Sequence, residues 1–286
     1  MTKPYWEDTD AGLALYHGDM RELLPQLELQ ADLILADPPY AETSLKWDRW
    51  PDGWLTTAAK HARSMWCFGS QRMFFDRLHE FRAEDWHLSQ DVVGKDPDGQ
   101  PVFGDVHFIW EKTVGSSAVA DRFRRVHEHA LHWYRGPWRD VHHEAQRERR
   151  HGRNQSTRRS GYKGPHLGTY NARSWADDGT RLLTSMIQTS GMRGKAIHPT
   201  QKPLKIAEPL IRYGCPPGGL VLDVFSGSGV GLEAARQSGR RCIAIEAREE
   251  YCERIARRLS EMPLFIAEPV PAAGARQDGA QPGGAE

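Results

Sequence analysis

The sequence is poor in cysteine and never spaces two as C-x-x-C: Cys67, Cys215, Cys242 and Cys252 stand far apart. That scatter argues against a disulfide framework and a zinc ribbon, and leaves each thiol as a small apolar filler. No apolar run approaches the length of a membrane-spanning helix, so no membrane partner is expected. The opening residues, MTKPYWEDTD, have neither the basic nor the apolar stretch of a secretory signal. A soluble cytoplasmic protein is the expectation. Internal repeats are missing as well.

Net charge is also missing, because 38 Lys and Arg balance 38 Asp and Glu. The balance conceals a segregation: residues 121–205 hold 18 Lys or Arg against 7 Asp or Glu. The rest of the chain is acidic by the same margin. A basic segment of this kind suits a polyanion such as nucleic acid. With 286 residues, 39% of them apolar, the chain can bury one large domain or a core domain carrying an insertion.

LALYHGD reads as a short strand, followed by the amphipathic MRELLPQLE. ADLILA is a short apolar run of the kind buried on both faces in a parallel sheet, and SMWCFGS (64–70) is a second. QRMFFDRLHEF (71–81) is predicted as the helix behind it. DWHLSQDVV, DVHFIWEK and EHALHWYRG read as further strands, some of them antiparallel. From about 136 to 195 the pattern fails. There HHEAQRERRHGRNQSTRRSGYKGPH is polar, rich in Arg and His, and unable to build a core of its own. Order returns with HPTQKPLKIAEPLIRYG, where Leu204, Ile206, Leu210 and Ile211 share one helix face. GGLVLDVFSGSGVGLEAARQSG reads as strand, glycine turn and helix, and RRCIAIEAREEYCERIARRL as strand, acid and helix. Residues 263–286, mostly Ala, Gly, Pro and Gln, are expected to form a disordered tail.

In VLDVFSGSGVG, Gly227 and Gly229 permit a tight turn and close backbone approach at a helix N-terminus, where free N–H groups point outward. The next strand ends at Glu246, 17 residues beyond Gly229. A carboxylate there can take both ribose hydroxyls of a nucleoside cofactor. The run G-S-G has no third glycine at the dinucleotide spacing, and Asp223 precedes it. S-adenosylmethionine lacks a pyrophosphate and needs no full phosphate cradle, so it suits this turn better than a dinucleotide.

LILADPPY, residues 33–40, ends an apolar strand with an acid, two prolines and a tyrosine. The exocyclic amine of adenine or cytosine is a poor nucleophile because its lone pair is conjugated into the ring. Groups that accept the N–H hydrogens turn that lone pair toward an electrophile. Asp37 can accept one hydrogen and the Pro38 carbonyl another, while Pro38 and Pro39 stiffen the loop. Tyr40 offers a face on which an extruded base can stack. A rigid turn that merely caps the strand is the competing reading.

In order along the chain, DPPY, HPTQKP, VLDVFSGSG and AIEAREEY resemble the motif series of the S-adenosylmethionine-dependent DNA amino-methyltransferases, in the order of their β class. The likeness covers roughly residues 11–260. It implies an α/β, permuted Rossmann-like methyltransferase fold: a mixed, mostly parallel sheet flanked by helices, with a basic target-recognition insertion. Residues 1–135 would be the catalytic half, 136–195 the insertion and 196–262 the cofactor-binding half. The resemblance makes Asp37, Pro38, Pro39 and Tyr40 the target-base site. It wraps Phe225, Ser226, Gly227, Ser228 and Gly229 around the methionine end of the cofactor, beside Asp37 and Asp223, with Glu246 on the ribose. Asp19, in YHGDM, falls where the family carries an acid near the cofactor adenine. Thr200 and Lys202 become contacts to the cofactor's carboxylate, Lys202 by opposite charge. Two positions depart from the family: Val224 replaces the usual proline and Val230 the usual threonine.

Arg147, Arg149, Arg150, Arg153, Arg158, Arg159 and Lys163 are the candidates for phosphate contacts to double-stranded DNA. Trp133, Tyr134, Trp138, Tyr162 and Tyr170 interleave with these charges, to stack on bases or to pack a core. His127, His129 and His132, then His142, His143 and His151, fit no zinc spacing, so no metal is expected. Adenine N6 is favoured over cytosine N4 because the family's cytosine enzymes more often carry serine where Asp37 stands. Methylation at cytosine C5 needs a thiolate, typically in a Pro-Cys pair, and no cysteine here follows proline. Glutamine methyltransferases favour Asn before the prolines and place the glycine turn first. A DNA-binding module that keeps cofactor without turnover is the reading from a different class. The resemblance is also compatible with a homodimer and with a cognate restriction endonuclease.

Overall fold

A computed structural model describes residues 2–95, 101–105, 107–116, 125–149, 163–164, 168–169, 179–189, 198 and 201–261. Along the chain the main sheet takes up β1 (Trp6–Asp8), β2 (Leu13–His17), β3 (Leu33–Ala36), β4 (Ser64–Gly69), β5 (His107–Ser116), β6 (Arg125–Tyr134), β7 (Met186–Thr189), β8 (Leu220–Asp223) and β9 (Arg241–Glu246). In space the order is β1-β2-β9-β8-β3-β4-β6-β5-β7, and His87–Leu88 adds to β6. Strands β2, β9, β8, β3 and β4 run parallel. β6 is antiparallel to both β4 and β5, and β7 lies parallel to β5. Among the described residues no helix is long and apolar enough to cross a membrane.

The short apolar runs become central strands because helices cover both of their faces. Alternate residues point to opposite layers. Leu33, Leu35, Trp66, Phe68 and Val221 pack with Ile206, Leu210, Leu232, Ile255 and Leu259. Those partners belong to α4 (Leu204–Gly214), α5 (Val230–Gln237) and α6 (Glu249–Glu261). On the other face Ile34, Ala36, Met65, Cys67 and Leu222 pack with Leu24, Trp54, Leu55, Phe74 and Phe81. These come from α1 (Met20–Leu27), α2 (Trp54–Ala58) and α3 (Gln71–Ala83). The result is a three-layer α/β/α arrangement, as the sequence implied.

Strands β3 and β8 sit side by side, with Val221 opposite Leu33 and Asp223 opposite Leu35. From β3 the chain proceeds through α2 to β4 on one side; from β8 it proceeds through α5 to β9 on the other. The direction in which the chain winds across the sheet therefore reverses between β3 and β8, while the two strands stay parallel. In a parallel α/β sheet such a switch point opens a crevice at the carboxyl ends of the strands. The residues after β3 are Asp37–Tyr40, and those after β8 are the glycine turn.

The helix predicted at 71–81 is Gln71–Ala83, capped by Ser70, whose hydroxyl accepts the Met73 N–H at 3.0 Å. All four cysteines are free and buried. Trp133 belongs to the core, stacked on Phe81 with centroids 4.3 Å apart. His132 is fully buried against Ser64, and burial pulls its pKa down to about 3. No group of metal-ligating side chains occurs among the described residues. Among the described residues, the segment expected to be irregular departs from that picture at three places. Met186–Thr189 joins the main sheet as an edge strand, Arg147–Arg149 pairs with Thr180–Leu182, and Lys163–Gly164 pairs with Gly168–Thr169. Such short edge strands bury little, so they leave almost no apolar pattern in the sequence.

Candidate active site

Asp37 leaves the sheet at the carboxyl end of β3. Its Oδ1 accepts the Tyr40 hydroxyl at 2.7 Å, and its Oδ2 accepts the ammonium of Lys202 at 2.6 Å. The Lys202 side chain is only 4% exposed, and a carboxylate oxygen of Glu128, on β6, lies 3.6 Å from its Nζ. The rings of Phe68 and Tyr40 face the same cation at 5.2 and 5.8 Å. Burial alone would lower the Lys202 pKa, but the charges of Asp37 and Glu128 outweigh it and hold it above its ordinary value. Burial, with the Asp37 charge second, pushes the Tyr40 phenol well up, so it donates to Asp37 as a neutral hydroxyl.

One buried carboxylate fixes the loop that follows. Asp48 accepts the N–H groups of Ala41, Glu42 and Thr43 at 2.8, 3.0 and 2.6 Å. Burial would raise the Asp48 pKa, yet these hydrogen bonds prevail and lower it. The turn they enforce puts Ala41 at φ 58°, in the left-handed region. Next to Asp48, the Trp47 ring sits 5.6 Å from that of His198, which in turn meets Tyr251 of α6 edge-on at 4.4 Å. Burial pulls His198 down to about 4, so the ring is neutral at pH 7.

The glycine turn is held from below by the acid at the end of β9. Glu246 Oε2 accepts the Gly227 N–H at 2.7 Å and Oε1 accepts the Arg248 N–H at 2.9 Å. Two of the carboxylate's four acceptor positions are thereby used and two remain. Gly227 and Gly229 take φ of 53° and 74°, where side chains are strained.

Burial raises the pKa of Glu246, and burial with the Asp37 charge second lifts Asp223 from 3.8 to about 7. Both groups bind protons more readily folded than unfolded. Their stabilising contribution is therefore complete below the unfolded value and lost as pH rises through the folded one. Below about pH 6.5 the buried His132 and His198 titrate with the opposite sign, so the contribution of Asp223 is read as a difference: the melting temperature of Asp223→Asn relative to wild type should rise by several degrees between about pH 5 and about pH 8. Thermal melts of both proteins across that range decide it, and a difference that does not change with pH refutes the account.

These groups line one cleft of about 370 Å³. Asp19, Asp37, Pro38, Pro39, Tyr40, Lys202, Asp223, Phe225, Ser226, Gly227, Ser228 and Glu246 are all on its wall. Gly229 stands behind it, where an added Cβ would come 2.7 Å from Ile255. Thr200 lies outside the described residues. Two residues have partners within the protein. Lys202 faces Asp37 and Glu128 beneath the DPPY loop, on the wall of the cleft. Asp19 caps α1, and its carboxylate is taken up by the Arg21 amide at 2.8 Å and the Arg21 guanidinium at 2.5–3.2 Å. Arg147 and Arg149 are exposed, and the Arg147 guanidinium donates to Thr180 Oγ1 at 2.7 Å. Arg150, Arg153, Arg158 and Arg159 lie outside the described residues, and of Lys163 only the backbone is described.

Sequence reasoning missed Glu128, Trp47, Asp48 and His198 as wall residues. His198 opens the HPTQKP motif and was legible there. Glu128 is a lone acid in an otherwise mixed strand and carries no local signal.

Residues 31–258 match the model of the N6 and N4 methyltransferase family, described as DNA methylase. The type II methyltransferase M2.DpnII of Streptococcus pneumoniae is 25% identical over 287 residues, covering 91% of this chain and 93% of that one. M.ScaI of Streptomyces caespitosus, also a type II methyltransferase, is 26% identical, covering 88% of this chain and 82% of the other. Among solved structures, the M1.HpyAVI–SAM complex shares the fold with a TM-score of 0.55 at 22% identity, over 86% of this chain and 99% of that one. The cytosine-N4-specific PvuII DNA methyltransferase does so with a TM-score of 0.53 at 16% identity, over 86% of this chain and 85% of the other. The chain belongs to the N6/N4 family of DNA methylases.

Proposed function

We propose that the chain transfers the methyl group of S-adenosylmethionine to N6 of an adenine extruded from duplex DNA. The observation that carries this reading is the convergence of Asp37, Pro38 and Tyr40 with the glycine turn and Glu246 on one cleft. The residues present suit the cofactor: the wall carries the acids Asp37 and Glu246, which favour a cation, and Glu246 keeps two acceptor positions for ribose hydroxyls. Gly227 lets the backbone approach the methionine end without a Cβ in the way, and Gly229 makes room for Ile255 behind the turn. Bound S-adenosylmethionine supplies an electrophilic methyl group on a sulfonium.

The chain's own residues do the remainder. Asp37 and the Pro38 carbonyl accept the two amine hydrogens and fix the direction of the nitrogen lone pair. The ring of Tyr40 stacks on the base, and its hydroxyl holds Asp37 Oδ1. Extrusion of the base costs a few kcal/mol, which phosphate contacts by the basic segment 136–195 offset. Arg147 and Arg149, with Arg150, Arg153, Arg158, Arg159 and Lys163, supply those contacts. Aspartate at position 37 supports adenine, and cytosine N4 is the alternative because the geometry serves either amine. The type II relatives support a role in restriction–modification; a cognate endonuclease, a cytoplasmic location and a homodimer complete the proposal.

Incubation with methyl-labelled cofactor and duplex DNA, followed by digestion to nucleosides, should place the label in N6-methyladenine. Label in N4-methylcytosine transfers the assignment to the alternative, and cofactor binding with no label in DNA makes the chain a non-catalytic DNA-binding module.

A further inference from the structure

We propose that Glu128 is a positioning residue for Asp37 and acts through Lys202. The starting point is a competition for the charge of Asp37. Asp37 must receive an amine hydrogen from the target base on one of its two remaining acceptor positions, while Tyr40 engages its Oδ1 and the Lys202 ammonium draws on its Oδ2. The ammonium is the tighter partner, at 2.6 Å and charged. Its site is almost dry, and an ammonium drawn off its carboxylate inside the protein without another partner is strongly disfavoured.

Glu128 removes that obstacle. It approaches the same Nζ from β6 at 3.6 Å, a longer contact than the one to Asp37, so a small swing of the lysine tip exchanges one carboxylate for the other. The rings of Phe68 and Tyr40 flank the cation and keep it within that corridor. Glu128 also brings a second carboxylate to the ammonium that holds Asp37. Glu128 thus lets Lys202 hold Asp37 in place before the base arrives and loosen when it does. This role rests on amino-methyl transfer by the Asp37 cleft and holds for an adenine or a cytosine amine alike. The identity of the labelled nucleoside therefore tests one reading and the rates below test the other.

The test is a double-mutant cycle on the full chain, read as the single-turnover rate of labelled methyl transfer to DNA. Glu128→Gln keeps the volume and an acceptor oxygen but removes the charge. It should slow transfer roughly tenfold while leaving cofactor and DNA affinities within about twofold of wild type. Glu128→Asp, which keeps the charge but withdraws it by one methylene, should recover part of the rate. In a Lys202→Met background, Glu128→Gln should change the remaining rate by less than about twofold, because the group it acts through is gone. Equal effects of Glu128→Gln in both backgrounds would overturn the proposal. So would an unchanged rate in the single variant, or a rate loss matched by a loss of cofactor affinity or of melting temperature, which would make Glu128 structural.

Discussion

Asp37→Ala should reduce methyl transfer by on the order of 10³-fold while leaving cofactor affinity within a few-fold of wild type. The carboxylate is one of two acceptors for the amine hydrogens, and without it the nitrogen lone pair stays conjugated and undirected. Alanine removes the acceptor but keeps the rigid Pro38–Pro39 backbone, so the second acceptor, the Pro38 carbonyl, remains. The freed ammonium of Lys202 retains Glu128 as a partner at 3.6 Å, so the substitution does not strand a buried charge. Tyr40→Phe gives the contrast: it keeps the stacking face and loses only the 2.7 Å bond to Oδ1, and should slow transfer about tenfold. Single-turnover rates with labelled cofactor, beside calorimetric cofactor titration, separate the two. Near-normal transfer by Asp37→Ala would remove Asp37 from the chemistry.

The parts of this site that were legible in the sequence are the local ones. A strand that ends in DPPY, a glycine turn between strand and helix, and an acid at the end of the next strand each signal themselves within a dozen residues. Buried parallel strands read as continuous apolar runs, which is why β3, β4 and β8 could be placed before any coordinates. What the sequence hides is long-range pairing. Lys202 meets a carboxylate 165 positions earlier, and a local motif cannot show that Asp37 and Glu128 both approach its ammonium. Asp19 shows the same limit at short range: its motif position suggests a cofactor contact, and the structure adds that it caps α1 and engages Arg21 while lining the cleft. Edge strands such as Met186–Thr189 escape notice because burial on one side of four residues leaves no pattern.

Gly231→Ala should be the most damaging small substitution in the cofactor half. Gly→Ala inside a helix ordinarily stabilises by up to about 1 kcal/mol, because glycine loses more backbone freedom on folding. Here the second residue of α5 presses on the end of β8. A Cβ at position 231 would lie 2.2 Å from Asp223 Oδ2, 2.8 Å from its Cγ and 3.1 Å from its Cβ. Asp223 is 3% exposed and anchored in the middle of the sheet, so neither partner has room to yield without moving the turn between them. Overpacking of this severity costs about 3 kcal/mol, against the sign of the helix preference. Because the displaced segment is the Phe225–Gly229 turn, cofactor affinity should fall with stability. Gly239→Ala, just beyond the other end of α5, provides the measure of strain alone. Its φ is 68° with nothing within 4 Å of an added Cβ, so it should cost only about 1–2 kcal/mol and leave cofactor binding intact. Denaturant melts and cofactor titrations of the two variants should therefore diverge. If Gly231→Ala proves no less stable than Gly239→Ala, the contact between α5 and Asp223 does not constrain the turn, and the rigid cradle inferred for the cofactor is wrong.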